Sequence, residues 1–242
     1  MIITEPHAYI CGEKAFEGVV VRDDSFTGTR PGVLLAHAMF GLGHVEATHA
    51  RRLAALGYVV FACDYYGTSL RPDTREEAVA LMGSLNSDRG ELLRRMQACL
   101  AELAAFDFVD AGRLAAIGFC FGGKAVLDLS RSGAGVAAVI SVHGVYDPPN
   151  DGRTTKRSSV LVLHGWNDPL SPPEALMALT AELDETCTDW QFVAFGNTSH
   201  AFTHPEANMP VAGIQYSQRA AHRSWYIVDS YLNEKVGLPD QD

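Results

Sequence analysis

Positive charge is scarce in this chain: 19 lysines and arginines stand against 29 aspartates and glutamates in 242 residues, a formal net charge of −10. No run of basic residues interrupts that balance, so neither nucleic acid nor an anionic membrane surface is an expected partner. Cysteine is sparse as well, at Cys11, Cys63, Cys99, Cys120 and Cys187. An odd count, wide spacing and the lack of a CxxC pair suggest neither a disulfide framework nor a zinc site. No apolar run approaches membrane-spanning length, and the first residues lack a basic region followed by an apolar core. A reducing cytoplasm is therefore the expected setting, and Asn197-Thr198-Ser199 is read as a chance sequon. Internal repeats, low-complexity tracts and interdomain linkers are also missing, which points to a single domain over residues 1–242.

What the chain does have is apolar material, 47% hydrophobic against 20% charged residues, a balance that supports a substantial core. Continuous apolar runs at Gly32–Ala36, Tyr58–Cys63, Val136–Val142 and Val160–His164 read as strands covered on both faces. Looser alternation at Ala15–Val21 reads as an early antiparallel strand, and Gln191–Phe195 is a further strand. Helical spacing fills the intervals: Val45–Leu56 ending at Gly57, Thr74 to about Phe108 with a break near Asn86–Gly90, Pro173–Glu185, and Ser217–Glu234. Such alternation predicts an α/β fold with a mostly parallel sheet and helices on both faces.

Gly118-Phe119-Cys120-Phe121-Gly122 lies between the apolar run Arg113–Ile117 and a helical segment over Gly123–Ser130. A strand turning at once into a helix, with glycine two residues either side of the turn residue, is the pattern of a nucleophile elbow. The central thiol then sits at the positive end of a helix, where a thiolate is favoured. In a parallel sheet, ligands bind at the carboxyl ends of the strands. Two further polar residues follow strands: Asp168 after Val160–His164, and His200 after Gln191–Phe195. The chain order of nucleophile, acid and histidine is that of an α/β-hydrolase triad. Asp168 could instead cap the helix beginning near Pro172, and Cys120 or His200 could be ordinary core and loop residues. As a triad, His200 takes the thiol proton, Asp168 fixes the imidazole, and Cys120 forms a thioester that water hydrolyses. The expected oxyanion donors are the backbone N–H groups of Phe121 and of Met39, in the loop after Gly32–Ala36. His37, Ala38, Phe40, Tyr66, His143, Trp166 and Phe202 are candidate pocket residues, although for the histidines and aromatics a purely structural role is as plausible.

The sequence resembles the dienelactone hydrolase family of α/β-hydrolases. The resemblance rests on Phe40-Gly41-Leu42, Leu53-Ala54-Ala55-Leu56-Gly57-Tyr58, Asp64-Tyr65-Tyr66-Gly67 and Gly118-Phe119-Cys120-Phe121-Gly122-Gly123. Val142-His143-Gly144, His164-Gly165 with Asp168-Pro169, His200-Ala201-Phe202 and Arg223-Ser224-Trp225 extend it over most of the chain. It implies a small domain without a large lid, and a Cys–Asp–His triad acting on lactones and related esters with neither metal nor organic cofactor. Two departures stand out. The family's loop after the third strand commonly carries a glutamate that interacts with the cysteine, and Ala38 occupies that position here. An arginine that binds the substrate carboxylate shortly after the catalytic histidine is replaced by Thr203-His204-Pro205, leaving Arg71 or Arg75 to supply a charge from elsewhere. The expected activity is thus hydrolysis of small lactones or activated esters. The alternatives are a promiscuous arylesterase or phosphotriesterase with an enlarged pocket, and a non-catalytic thiol redox sensor.

Overall fold

Strand-forming runs in this chain are apolar on both faces, and they can be satisfied only between two helical layers. The structure is a computed structural model that describes residues 1–68, 70–149 and 158–238. Among these, eight strands share one sheet: β1 (Ile2–Cys11), β2 (Lys14–Asp23), β3 (Arg30–Ala36), β4 (Val59–Cys63), β5 (Val109–Phe119), β6 (Ala138–Val142), β7 (Ser159–Gly165) and β8 (Trp190–Phe195). Their order is β1-β2-β4-β3-β5-β6-β7-β8. β2 runs antiparallel to β1 and β4, whereas β3 to β8 are mutually parallel.

Period-two alternation sorts the strand side chains onto the two faces. Leu34, Ala36, Val59, Phe61 and Cys63 pack with Leu92, Met96, Cys99 and Leu103 of α3 (Arg89–Ala105), and with α4 (Phe121–Arg131) and α5 (Pro173–Thr186). Val33, Leu35, Val60 and Ala62 face the other way, onto Ala50, Leu53 and Ala54 of α1 (His44–Ala55) and Val228, Tyr231 and Leu232 of α6 (Gln218–Val236). α2 (Arg75–Ser87) joins the first layer through Leu85.

The expected break in the helical stretch has a single cause. Asp88 ends α2, and its carboxylate accepts the Glu91 N–H to cap α3 (2.9 Å). The sequence reading did not anticipate β1, which pairs with β2 along its whole length through a turn at Gly12, where φ is 62°. As an edge strand, β1 is largely exposed and carries Glu5 and Pro6, so its hydrophobic pattern is weak. A small hairpin, β9 (Asn208–Met209) with β10 (Ile214–Gln215), was equally unannounced.

β3 and β5 lie side by side, yet the chain leaves them for opposite sides of the sheet, to β4 and to β6. Their carboxyl ends therefore open a crevice at a topological switch point. The loop 37–43 and Cys120 emerge into it.

Candidate active site

Cys120 sits between β5 and α4 with φ 54° and ψ −115°, a backbone conformation that an L-residue holds only when its surroundings over-determine it. The surrounding glycines supply that determination. A Cβ at Gly118 would lie 2.0 Å from the Gly122 carbonyl oxygen, and one at Gly122 would lie 2.3 Å from that of Ala36. His143 (φ 37°), Asn197 (φ 52°) and Ala201 (φ 56°) are the other non-glycine residues with positive φ among the described residues. All lie beyond the ends of β6 and β8, on the same rim as Cys120, so backbone strain concentrates where the crevice opens.

On this rim the structure brings together Cys120, Asp168 and His200. His200 Nε2 is 3.1 Å from Cys120 Sγ, and His200 Nδ1 donates to Asp168 Oδ2 at 2.7 Å. The other Asp168 oxygen accepts the Leu170 N–H (2.9 Å), and Pro172 holds the N-cap position of α5, so Asp168 does not serve as a helix cap. The His200 backbone is bonded on both sides to the hairpin segment, donating to Gly213 O (2.9 Å) and accepting from Gln215 N–H (3.0 Å).

Burial alone raises the Cys120 pKa, but the charge and hydrogen bond of His200 and the Phe121 N–H outweigh it and hold the thiol below its ordinary value. For His200, burial pulls downward, while the Cys120 charge and the Asp168 hydrogen bond lift the imidazole to about 10. Each group thus favours the charged form of the other. His143 completes the surroundings as a neutral ring, since burial and the His200 charge keep its pKa well below normal. Its Nδ1 accepts the Cys120 N–H (3.2 Å), which leaves Nε2–H to donate to Thr203 Oγ1 (2.8 Å).

A cavity of about 1040 Å³ opens above this group. Of the residues expected in the pocket, Ala38, Phe40 and His143 line it, as do Met39 and Phe121. His37, Tyr66, Trp166 and Phe202 do not, which corrects the sequence expectation. His37 is buried beneath the loop and stacked on Tyr65 at 3.8 Å. Tyr66 is buried beside it and donates its hydroxyl to Met39 O (2.9 Å). Phe202 fills the core against Phe195 and His143 (5.5 and 5.1 Å). Trp166 turns outward and is 56% exposed. Arg71 is committed to buried Asp64 (3.0 Å), whereas Arg75 reaches the cavity.

The sequence reading missed Glu46 of α1, Val79 and Met82 of α2, Lys124 of α4, Asp147, and Met209 and Ile214 of the hairpin, all of which line the cavity. Only Glu46 carried a local signal, its helix-capping spacing from Gly43. The others arrive through long-range packing that no local pattern encodes. Lys124 Nζ is held between Asn86 Oδ1 (2.5 Å) and Asp147 Oδ1 (2.6 Å).

Comparisons with known proteins bear on the family and the fold. The sequence model of the "Dienelactone hydrolase family" matches residues 16–236. A solved structure named m3DLH is 37% identical, covering 97% of this chain and 99% of its own, with a TM-score of 0.93. The dienelactone hydrolase-like promiscuous phosphotriesterase P91 from metagenomic libraries is 35% identical over 98% of this chain and 99% of its own, also with a TM-score of 0.93. An uncharacterized protein of Caenorhabditis elegans is 34% identical over 157 residues, 62% of this chain and 98% of the worm protein. The elbow, the sheet order and these similarities lead to one assignment: the chain belongs to the dienelactone hydrolase family of α/β-hydrolases.

Proposed function

We propose that the protein hydrolyses small carboxylic esters and lactones with Cys120 as nucleophile, His200 as acid and base, and Asp168 as the group that orients the imidazole. The observation that carries this reading is the continuous chain of contacts from Sγ to Nε2 and from Nδ1 to the carboxylate, at 3.1 and 2.7 Å. The thiolate attacks the acyl carbon, the carbonyl π electrons move to oxygen, and the oxyanion is met by the N–H groups of Met39 and Phe121. Collapse of the tetrahedral species breaks the bond to the leaving oxygen, which takes the proton from His200 Nε2. In a lactone the leaving oxygen stays tethered as the new hydroxyl. Neutral His200 then draws a proton from water, hydroxide adds to the thioester, and the thiolate departs with the imidazolium restored.

Purified protein is expected to release p-nitrophenol from p-nitrophenyl acetate, and Cys120→Ala to abolish turnover. Turnover unchanged in that variant overturns the assignment of the nucleophile. Rapid alkylation of Cys120 with no hydrolysis across an ester panel favours a redox-sensing thiol instead.

A second reading is supported by Ala38, by the size of the cavity and by the likeness to a promiscuous phosphotriesterase. A methyl group where a carboxylate could stand leaves room beside Cys120 for a bulky, neutral, electron-rich phosphotriester. The Ala38→Glu variant is expected to depress phosphotriester turnover more than ester turnover. An equal loss on both substrates removes this reading.

A further inference from the structure

The loop 37–43 is tied down at the Ala38, Gly41 and Gly43 N–H groups and at the His37, Ala38 and Met39 carbonyls. Tyr65 O–H donates to the His37 carbonyl (2.5 Å), and Tyr66 O–H donates to the Met39 carbonyl (2.9 Å). The Ala38 carbonyl is held by His37 Nδ1–H (2.6 Å) and by the Gly41 N–H (3.2 Å). In a trans peptide the N–H points opposite to the C=O. Anchoring Ala38 C=O below the loop therefore turns the Met39 N–H away from those anchors, and that N–H has no partner among the described residues.

Glu46 closes this arrangement from outside the loop. One carboxylate oxygen accepts the Gly43 N–H (3.0 Å), the half of a capping box that remains when the N-cap residue is a glycine without a side chain. Its other oxygen reaches back to the Ala38 N–H (3.4 Å), eight residues upstream. Capping does not require that second contact. The side chain lines the cavity and yet is only 6% exposed, so a charged group has been buried where only these two N–H donors bind it. Burying an ion is costly unless it is well bonded, and here the bonding spans both ends of one loop.

We propose that Glu46 is the positioning residue of the oxyanion loop, holding the Ala38 and Gly43 N–H groups together so that the Met39 N–H is presented to the acyl oxygen. The inference rests on the ester hydrolase reading above, and it adds a residue that never touches substrate. Its consequence is selective. A loosened loop impairs only steps that generate an oxyanion, whereas direct alkylation of Cys120 by iodoacetamide generates none.

The test compares wild type with Glu46→Ala and Glu46→Gln; the amide retains one acceptor and can serve only one end of the loop. Expected for Glu46→Ala is a kcat for p-nitrophenyl acetate lowered about 10- to 100-fold, within or below the loss from deleting an oxyanion donor outright, and a KM little changed. Glu46→Gln falls between it and wild type. Inhibition by a trifluoromethyl ketone, whose hemithioketal carries an oxyanion, weakens in parallel. The rate and pH profile of Cys120 alkylation stay at the wild-type level in both variants.

An unchanged kcat overturns the proposal, and so does alkylation that falls in step with kcat, since that places Glu46 in thiol ionisation or in the fold. If Glu46→Ala does not fold by circular dichroism, Glu46→Gln carries the same comparison. Wild-type turnover reports on the functional reading itself, and the ratio of variant to wild type reports on the clamp.

Discussion

Cys120 and His200 move each other's acidity in opposite directions, and their reactivity with pH follows from the signs. The thiol is depressed and the imidazole is raised to about 10, so the ion pair extends from below the usual thiol range up to that value. Iodoacetamide is expected to modify Cys120 ahead of every other cysteine near neutral pH, well below the ordinary thiol pKa of about 8.5. On the proposed mechanism, hydrolysis is expected to fall again as His200 loses its proton near 10, which a kcat–pH profile checks. Because the folded imidazole titrates above its unfolded value of 6.5, its contribution to stability is full below 6.5 and fades as pH climbs through about 10. Asp168→Asn removes a hydrogen bond that raises His200, so the alkaline limb should move to lower pH and kcat should drop, by up to ~10⁴-fold where the tautomer is lost. An alkaline limb that stays in place argues that Asp168 does not orient the ring. A second lesson at this scale concerns side-chain direction. His37, Tyr66 and Phe202 are sequence neighbours of site residues, but they are buried beneath the site, Tyr66 at a bend and Phe202 in a turn after Ala201 (φ 56°), where no strand or helix period fixes the direction of a side chain.

The elbow was the most legible element, because its requirements are local. Two glycines, a strand and a helix specify the turn without knowledge of the rest of the chain. Gly122→Ala is expected to destabilise the protein by at least about 1–3 kcal/mol in urea unfolding, since its Cβ would strike the Ala36 backbone and not a movable side chain. Gly83 in α2 has nothing within 4 Å of a built Cβ, so Gly83→Ala should stabilise by about 0.5–1 kcal/mol in the same assay. Equal effects from the two substitutions would contradict the steric account of the elbow. The strands β3, β4, β6 and β7 were readable too, because burial on both faces leaves an unbroken apolar run. β1 was not, since an edge strand lacks a second buried face. The cavity wall was least legible: α2 and the hairpin reach the crevice only through tertiary packing, and their apolar residues carry no mark that separates lining from core.

At the scale of the whole molecule, the acid excess of the sequence reappears in the cavity. Among the described residues, Glu46, Asp147 and Glu206 line it against Arg75 and Lys124, with Cys120 and His200 offsetting each other, and Lys124 is already held by Asp147. Neutral esters should therefore be preferred to anionic ones of similar size. We expect kcat/KM for p-nitrophenyl acetate to exceed that for p-nitrophenyl hemisuccinate, with the gap narrowing as salt screens the field. Preference for the anionic ester would point to Arg75 as a productive carboxylate partner. No helix among the described residues is long and apolar enough to cross a membrane. The hairpin over the cavity has a different kind of importance. His200 forms a rung between Gly213 and Gln215, so a wall of the cavity and the proposed acid–base residue share one backbone ladder. The α2 wall, with Val79 and Met82, has no such tie to His200 among the described residues. A lineage, or an engineer, seeking new substrates can vary α2 while leaving the backbone of His200 in place, whereas each change in the hairpin risks shifting it. The enzyme thus has one wall open to adaptation and one held fast by its own chemistry.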